Sequence, residues 1–111
     1  MFDMQTGDNM EIKGIVDAIL SAVPAVAIYL FGSFANGTAA DDSDYDFYVV
    51  VPDGVQPLES TWKIKRTLRK SVNRTRNVDM FVGTESKFNE YKNTISFIEG
   101  EVARTGVVLY G

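Results

Sequence analysis

Between residues 8 and 23 apolar side chains return every three or four positions, and Ile12, Ile15, Val16, Ile19 and Leu20 fall on one face of a helix. Asp8 followed three residues later by Glu11 has the form of a capping box, with Asp in place of Ser or Thr, and Pro24 ends the segment. "AVAIYLF" (25–31) is a continuous apolar run rich in strand formers, the mark of a buried strand. Gly32-Ser33 then turns the chain into a short helix that stops near Gly37. "DYDFYVVV" (44–51) predicts a second strand, and "VPDGVQP" a loop. Residues 58–73 predict a helix on which Ile64, Leu68 and Val72 stand four apart. "NVDMFVG" predicts a third strand, closed by Gly83. Residues 84–93 leave a loop and a short helix both open. Residues 94–105 predict a helix closed by Gly106, and "VVLY" a terminal extended segment. Strands alternating with helices make an α/β or α+β sheet domain. No repeat or linker divides it, so one domain is expected over 1–111.

Composition removes whole classes of chemistry. There is no Cys, which excludes disulfides, thiolate nucleophiles and Cys metal sites, and no His, which excludes an imidazole base and a His-ligated zinc. Enzymatic chemistry here must rest mainly on carboxylates, which suit hard cations such as Mg²⁺. The longest apolar run, residues 22–31, holds Pro24 and is too short to span a bilayer, and the first residues lack a basic-then-apolar signal pattern. A cytoplasmic protein is expected.

The net charge of −4 conceals an asymmetry. Residues 1–62 carry ten acids against one base, 63–76 seven bases and no acid, and 77–111 five acids against three bases. The common meaning of such a basic run is a solvated helix face. Beside an acidic half it also fits a site that handles metal and phosphate together.

Asp44 and Asp46 carry the sharper signal. Residues two apart on a strand share a face, so these carboxylates project together while Tyr45 and Phe47 point into apolar packing. Like charges so placed repel, and a divalent cation between them removes the difficulty. Asp79 is a lone acid in another apolar run. If its strand lies beside that of Asp46, three carboxylates converge and could hold two Mg²⁺ ions for in-line phosphoryl displacement. An Asp-x-Asp alone, or a Gly-Ser turn alone, is more often structural. Apolar strand, Gly-Ser, spacer, Asp-x-Asp, apolar strand and a later isolated acid form a far rarer combination. Gly32 lets the backbone approach a ligand closely, and Ser33 with the backbone N–H groups after it can hold a phosphate oxygen.

"FGSFANGTAADDSDYDFYVVV" together with "VDMFV" resembles the signature of the DNA polymerase beta-like nucleotidyltransferase superfamily, and at this length its minimal nucleotidyltransferases. The resemblance implies a mixed β-sheet flanked by helices. It implies that Asp44, Asp46 and Asp79 are catalytic and bind two Mg²⁺ ions, with Asp79 helping to activate the attacking hydroxyl. Gly32 and Ser33 would bind the triphosphate. The reaction implied is transfer of a nucleoside monophosphate, AMP from ATP, to a hydroxyl. Many relatives pair with a small helical HEPN-type toxin and act as its antitoxin, some by adenylylating it. Relatives often read Gly-Ser-x-Ala-Arg-Gly, and here Asn36 stands where the Arg would be. Asn cannot supply bidentate, charged phosphate contacts. The helix carrying Lys63, Lys65, Arg66, Arg69 and Lys70 could compensate if it borders the site, the placement favoured by its joining the two acid-bearing strands.

Two functions of different class follow. One is a Mg²⁺-dependent nucleotidyltransferase with a protein acceptor in a toxin–antitoxin pair. The other is a weak or inactive module of the same fold that acts by binding its partner. Adenylylation of a small molecule would need an acceptor pocket, built here only by a homo-oligomer. A nucleic-acid substrate is not expected, since nothing provides a clamp and the total charge is negative.

Overall fold

The computed structural model describes residues 6–71 and 76–111. The elements run α1 (Thr6–Ala22), β1 (Ala27–Phe31), α2 (Ser33–Asn36), β2 (Tyr45–Val51), α3 (Pro57–Ser71), β3 (Val78–Thr84), α4 (Glu85–Tyr91), α5 (Ile98–Thr105) and β4 (Val107–Tyr110). The four strands form one mixed sheet in the order β3-β2-β1-β4. β1 is antiparallel to both β2 and β4, and β2 is parallel to β3. A parallel pair needs a crossover, and α3 supplies it. The expected α+β architecture is thus present, with helices on both faces.

β2 is central and covered on both sides, which explains its unbroken apolar run. Tyr45, Phe47, Val49 and Val51 face α1 and α3, in one core with Ile12, Ile15, Ile19, Ile64 and Leu68. The alternate positions Tyr48 and Val50 face α4 and α5, in a second core with Phe31, Phe88 and Val102. Asp46 lies in this second phase, at the strand's uncovered beginning.

Several local expectations change. α1 already runs at Thr6, so Asp8 lies inside the helix rather than at its cap. Glu11 serves a tertiary contact instead, accepting a hydrogen bond from Tyr45 Oη at 2.6 Å. The undecided stretch 84–93 contains α4, because Thr84 Oγ1 accepts from Lys87 N at 3.2 Å and caps it. α5 begins at Ile98, four residues later than expected, after a turn in which Phe97 N donates to Thr94 O at 3.2 Å. The expected Val72 and Asn73 end of α3 lies outside the described residues.

Candidate active site

The register of the parallel pair sets Asp46 directly beside Asp79. On its other side Asp46 faces Phe31, the last residue of β1. The Asp46 carboxyl is half-buried and its pKa is pushed up to about 6. Burial is the largest cause, followed by the Asp79 charge and a hydrogen bond with Asp79, then the charges of Asp44 and Glu101. Asp46 and Asp79 therefore behave as a close carboxyl pair. Asp44 stands just before β2 and acts on Asp46 through its charge.

The expected three-carboxylate cluster is not preformed: among the described residues, no group of three acids is placed to hold a metal ion. The close unit is the pair. Three anions with nothing between them repel. The donors nevertheless fit a hard cation. All are carboxylate oxygens, and the position of Asp46 at a strand's open end makes it approachable.

Gly32 follows β1 with φ 73° and is pressed against the same carboxylate: a Cβ there would collide with Asp46 Oδ2. Only glycine meets both the left-handed φ and the contact. Ser33 opens α2, and the turn is closed by Ala35 N and Asn36 N, each donating to Gly32 O at 3.1 Å. Among the described residues the Ser33 hydroxyl has no protein partner. The sheet thus brings Gly32, Ser33, Asp46 and Asp79 to one end of one face. Asn36 turns into its own loop, where its Oδ1 accepts from Thr38 Oγ1 at 2.6 Å and Thr38 N at 3.1 Å.

A family profile described as "Polymerase beta, Nucleotidyltransferase" matches residues 15–111. The chain belongs to this nucleotidyltransferase family. No curated protein gives a significant match. Among solved structures it is similar to a Sulfolobus solfataricus protein assigned as a nucleotidyltransferase, at 21% identity and TM-score 0.57, covering 97% of this chain and 89% of that one. It is similar to a toxin–antitoxin structure with AMP-PNP, at 23% identity and TM-score 0.57, covering 89% of this chain and 72% of that one. A mutant MntA–HpeT toxin–antitoxin structure matches at 22% identity and TM-score 0.61, covering 91% and 73%. At these identities the three likenesses concern the fold.

The loop that carries Asp44 is held by Arg76, which in the sequence is only one member of a basic run. Arg76 Nη1 donates to Ala40 O at 2.7 Å, Asp41 O at 2.9 Å and Ser43 O at 3.1 Å. Its guanidinium lies 4.8 Å from the Phe34 ring centroid and 6.0 Å from that of Tyr45. One side chain thereby ties the α2–β2 loop to the start of β3. Its only sequence signal is its place three residues before Asp79.

The basic helix α3 does not lie on the sheet face of the carboxyl pair, contrary to the expectation from its joining the two acid-bearing strands. Ile64 and Leu68 pack in the core that holds Tyr45 and Phe47, so α3 covers the sheet face opposite Asp46 and Asp79. Lys65, Arg66, Arg69 and Lys70 are exposed there, beside Leu58 (72% exposed) and Trp62 (61%). The sheet separates this stripe from the carboxyl pair.

The chain also buries Glu99, which no motif announced. Tyr48 Oη donates to Glu99 Oε2 at 2.6 Å, and Lys87 Nζ lies 3.8 Å from the same oxygen. Burial, then the Glu99 hydrogen bond and charge, pushes the Tyr48 phenol up. This network joins β2, α4 and α5 on the sheet face that carries Asp46. Its only trace in the sequence is its place right after the apolar pair Phe97-Ile98, two residues before a second acid, Glu101.

Proposed function

We propose that the protein transfers a nucleoside monophosphate, AMP from ATP, to a hydroxyl on a partner protein, as the antitoxin of a toxin–antitoxin pair. The reading is carried by the register pairing of Asp46 with Asp79, with Gly32 pressed against Asp46. Asp46, Asp79 and Asp44 would hold two Mg²⁺ ions, which when bound offset phosphate charge and acidify the attacking hydroxyl. Gly32 and Ser33 receive the β- and γ-phosphates, the backbone approaching closely where no Cβ intrudes. Asp79, exposed on the outer strand, takes the proton of the attacking hydroxyl. That oxygen bonds to the α-phosphorus, the bond to the β-phosphate oxygen breaks, and pyrophosphate leaves.

The toxin–antitoxin assemblies among the similar structures support a protein partner, for which a small helical HEPN-type chain is the proposed class. The α3 stripe, turned away from the carboxyl pair, supports a partner contact separate from catalysis. A second reading, a weak or inactive module acting by binding alone, is favoured by Asn36, which is absorbed in its own turn and brings no cation to the phosphates. Incubation with α-labelled ATP and Mg²⁺, with and without a candidate helical partner protein, separates the two. Label transferred to protein and lost in Asp79→Asn supports the enzyme. Partner binding without transfer supports the module.

A further inference from the structure

On the active face, one side chain has no part in the chemistry so far described. Phe81 is a large apolar residue left 39% exposed. It lies two residues after Asp79 on β3, and so on the same face of the sheet. Its register partner on β2 is Tyr48, which belongs to the same face as Asp46. The Phe81 ring leans on Phe31, with centroids 5.7 Å apart and planes at 56°. Phe31 is 5% exposed and is itself the register partner of Asp46. An exposed phenyl, backed by a buried one, therefore adjoins the carboxyl pair.

Its placement matches one dimension of the proposed substrate. From β1, where Gly32 follows, to β3 is two strand spacings, about 10 Å. The Phe81 backbone stands a further two residues, about 7 Å, along β3 from Asp79, and its ring leans back across β2 toward Phe31. A nucleoside triphosphate has a comparable reach from its terminal phosphates to its base. With those phosphates at Gly32-Ser33 and the α-phosphate over Asp46 and Asp79, the nucleoside has this surface beyond it. A flat ring is worth stacking on there, and an aromatic platform grips any base through its π-face.

The geometry points to Phe81 as the stacking platform for the nucleobase, a binding residue that the Asp and Gly-Ser motifs do not include. The inference rests on the nucleotidyltransferase reading of the carboxyl pair. It also assigns a character to that site: affinity for the base with weak discrimination among bases, since no hydrogen-bonding group is required of Phe81.

Calorimetry with Mg²⁺ and two probes tests it. One probe is α,β-methylene-ATP, which blocks transfer; the other is inorganic tripolyphosphate, which has no base. Phe81→Ala should weaken α,β-methylene-ATP binding about tenfold and leave tripolyphosphate binding unchanged. Phe81→Tyr should retain the wild-type affinity for both, and melting curves check that each variant is folded. Equal loss for both probes, no loss for either, or a Phe81→Tyr variant as weak as Phe81→Ala overturns the inference while leaving the metal–triphosphate site standing. Normal binding of both probes with slowed transfer would overturn it in favour of contact with the acceptor. If the wild type binds neither probe, the reading of the carboxyl pair fails, and the platform with it.

Discussion

Asp46 and Asp79 are register partners on parallel strands, and after burial the charge of Asp79 is the largest cause that lifts the Asp46 pKa to about 6. In the metal-free protein the folded state therefore holds a proton that the unfolded chain, near 3.8, has released. The contribution of Asp46 to stability is fully present below pH 3.8 and is lost as pH rises through 6. Asp46→Asn cannot titrate. In EDTA it should gain on the wild type between pH 4 and pH 7. The full shift corresponds to about 3 kcal/mol, and solvent screening of a half-exposed group reduces that to about 1 kcal/mol. Urea melts of both proteins at the two pH values check the sign. A variant less stable than wild type at pH 7 would mean that Asp46 supports the fold.

Mg²⁺ with a nucleotide should reverse this penalty. A ligand bound only by the folded state, at a hundred times its dissociation constant, adds about 2.7 kcal/mol. For a domain of this size the melting temperature should rise by about 10 °C. Mg²⁺ and α,β-methylene-ATP together should produce the rise in wild type and little of it in Asp46→Asn or Asp79→Asn. An unchanged wild-type melting curve would reject the metal site.

Arg76 should act on metal use through the Asp44 loop. Arg76→Lys keeps the charge but cannot present the same planar fork to three carbonyls. It should cost about 1 kcal/mol of stability and raise the Mg²⁺ concentration needed for half-maximal nucleotide binding severalfold. A Mg²⁺ titration of folded variant, corrected for its melting curve, measures this. Lost stability with unaltered Mg²⁺ dependence would limit Arg76 to holding the loop.

Gly32→Ala introduces a methyl group at a positive φ and against Asp46 Oδ2. It should lose about 1–2 kcal/mol from backbone conformation alone and should bind tripolyphosphate poorly. Thermal melts and calorimetry test both effects. Normal phosphate binding in this variant would remove Gly32 from the site.

Reversing charge on α3, with Arg66→Glu and Lys70→Glu together, should leave nucleotide affinity within about twofold in moderate salt, where the Debye length is about 10 Å. Trp62→Ala should change stability by less than about 0.5 kcal/mol, as expected of a surface position. If these substitutions abolish partner binding, α3 is the interface. If they abolish nucleotide binding, its charges reach the active end after all.

The strands, most helices and the glycine-to-acid spacing were legible in the sequence, because local periodicity and turn chemistry act over a few residues. The strand formers in "AVAIYLF", the alternation of Tyr45, Asp46 and Phe47, and the positions of Pro24 and Gly37 each carry their own physical reason. What the sequence could not contain is the pairing of one strand with another. Whether Asp79 would meet Asp46 depended on β3 lying parallel and in register beside β2. Whether the cations of α3 would reach that pair depended on which sheet face the crossover helix covered, and burial of Ile64 and Leu68 with Phe47 placed it on the far one. The partners of Glu11 and Arg76 likewise come from residues more than thirty positions away in the chain. Local sequence thus determined the elements and the chemistry each could bear. Long-range burial of apolar faces decided which of those groups meet, because the free energy of burial depends on the partner surface and not on the segment alone.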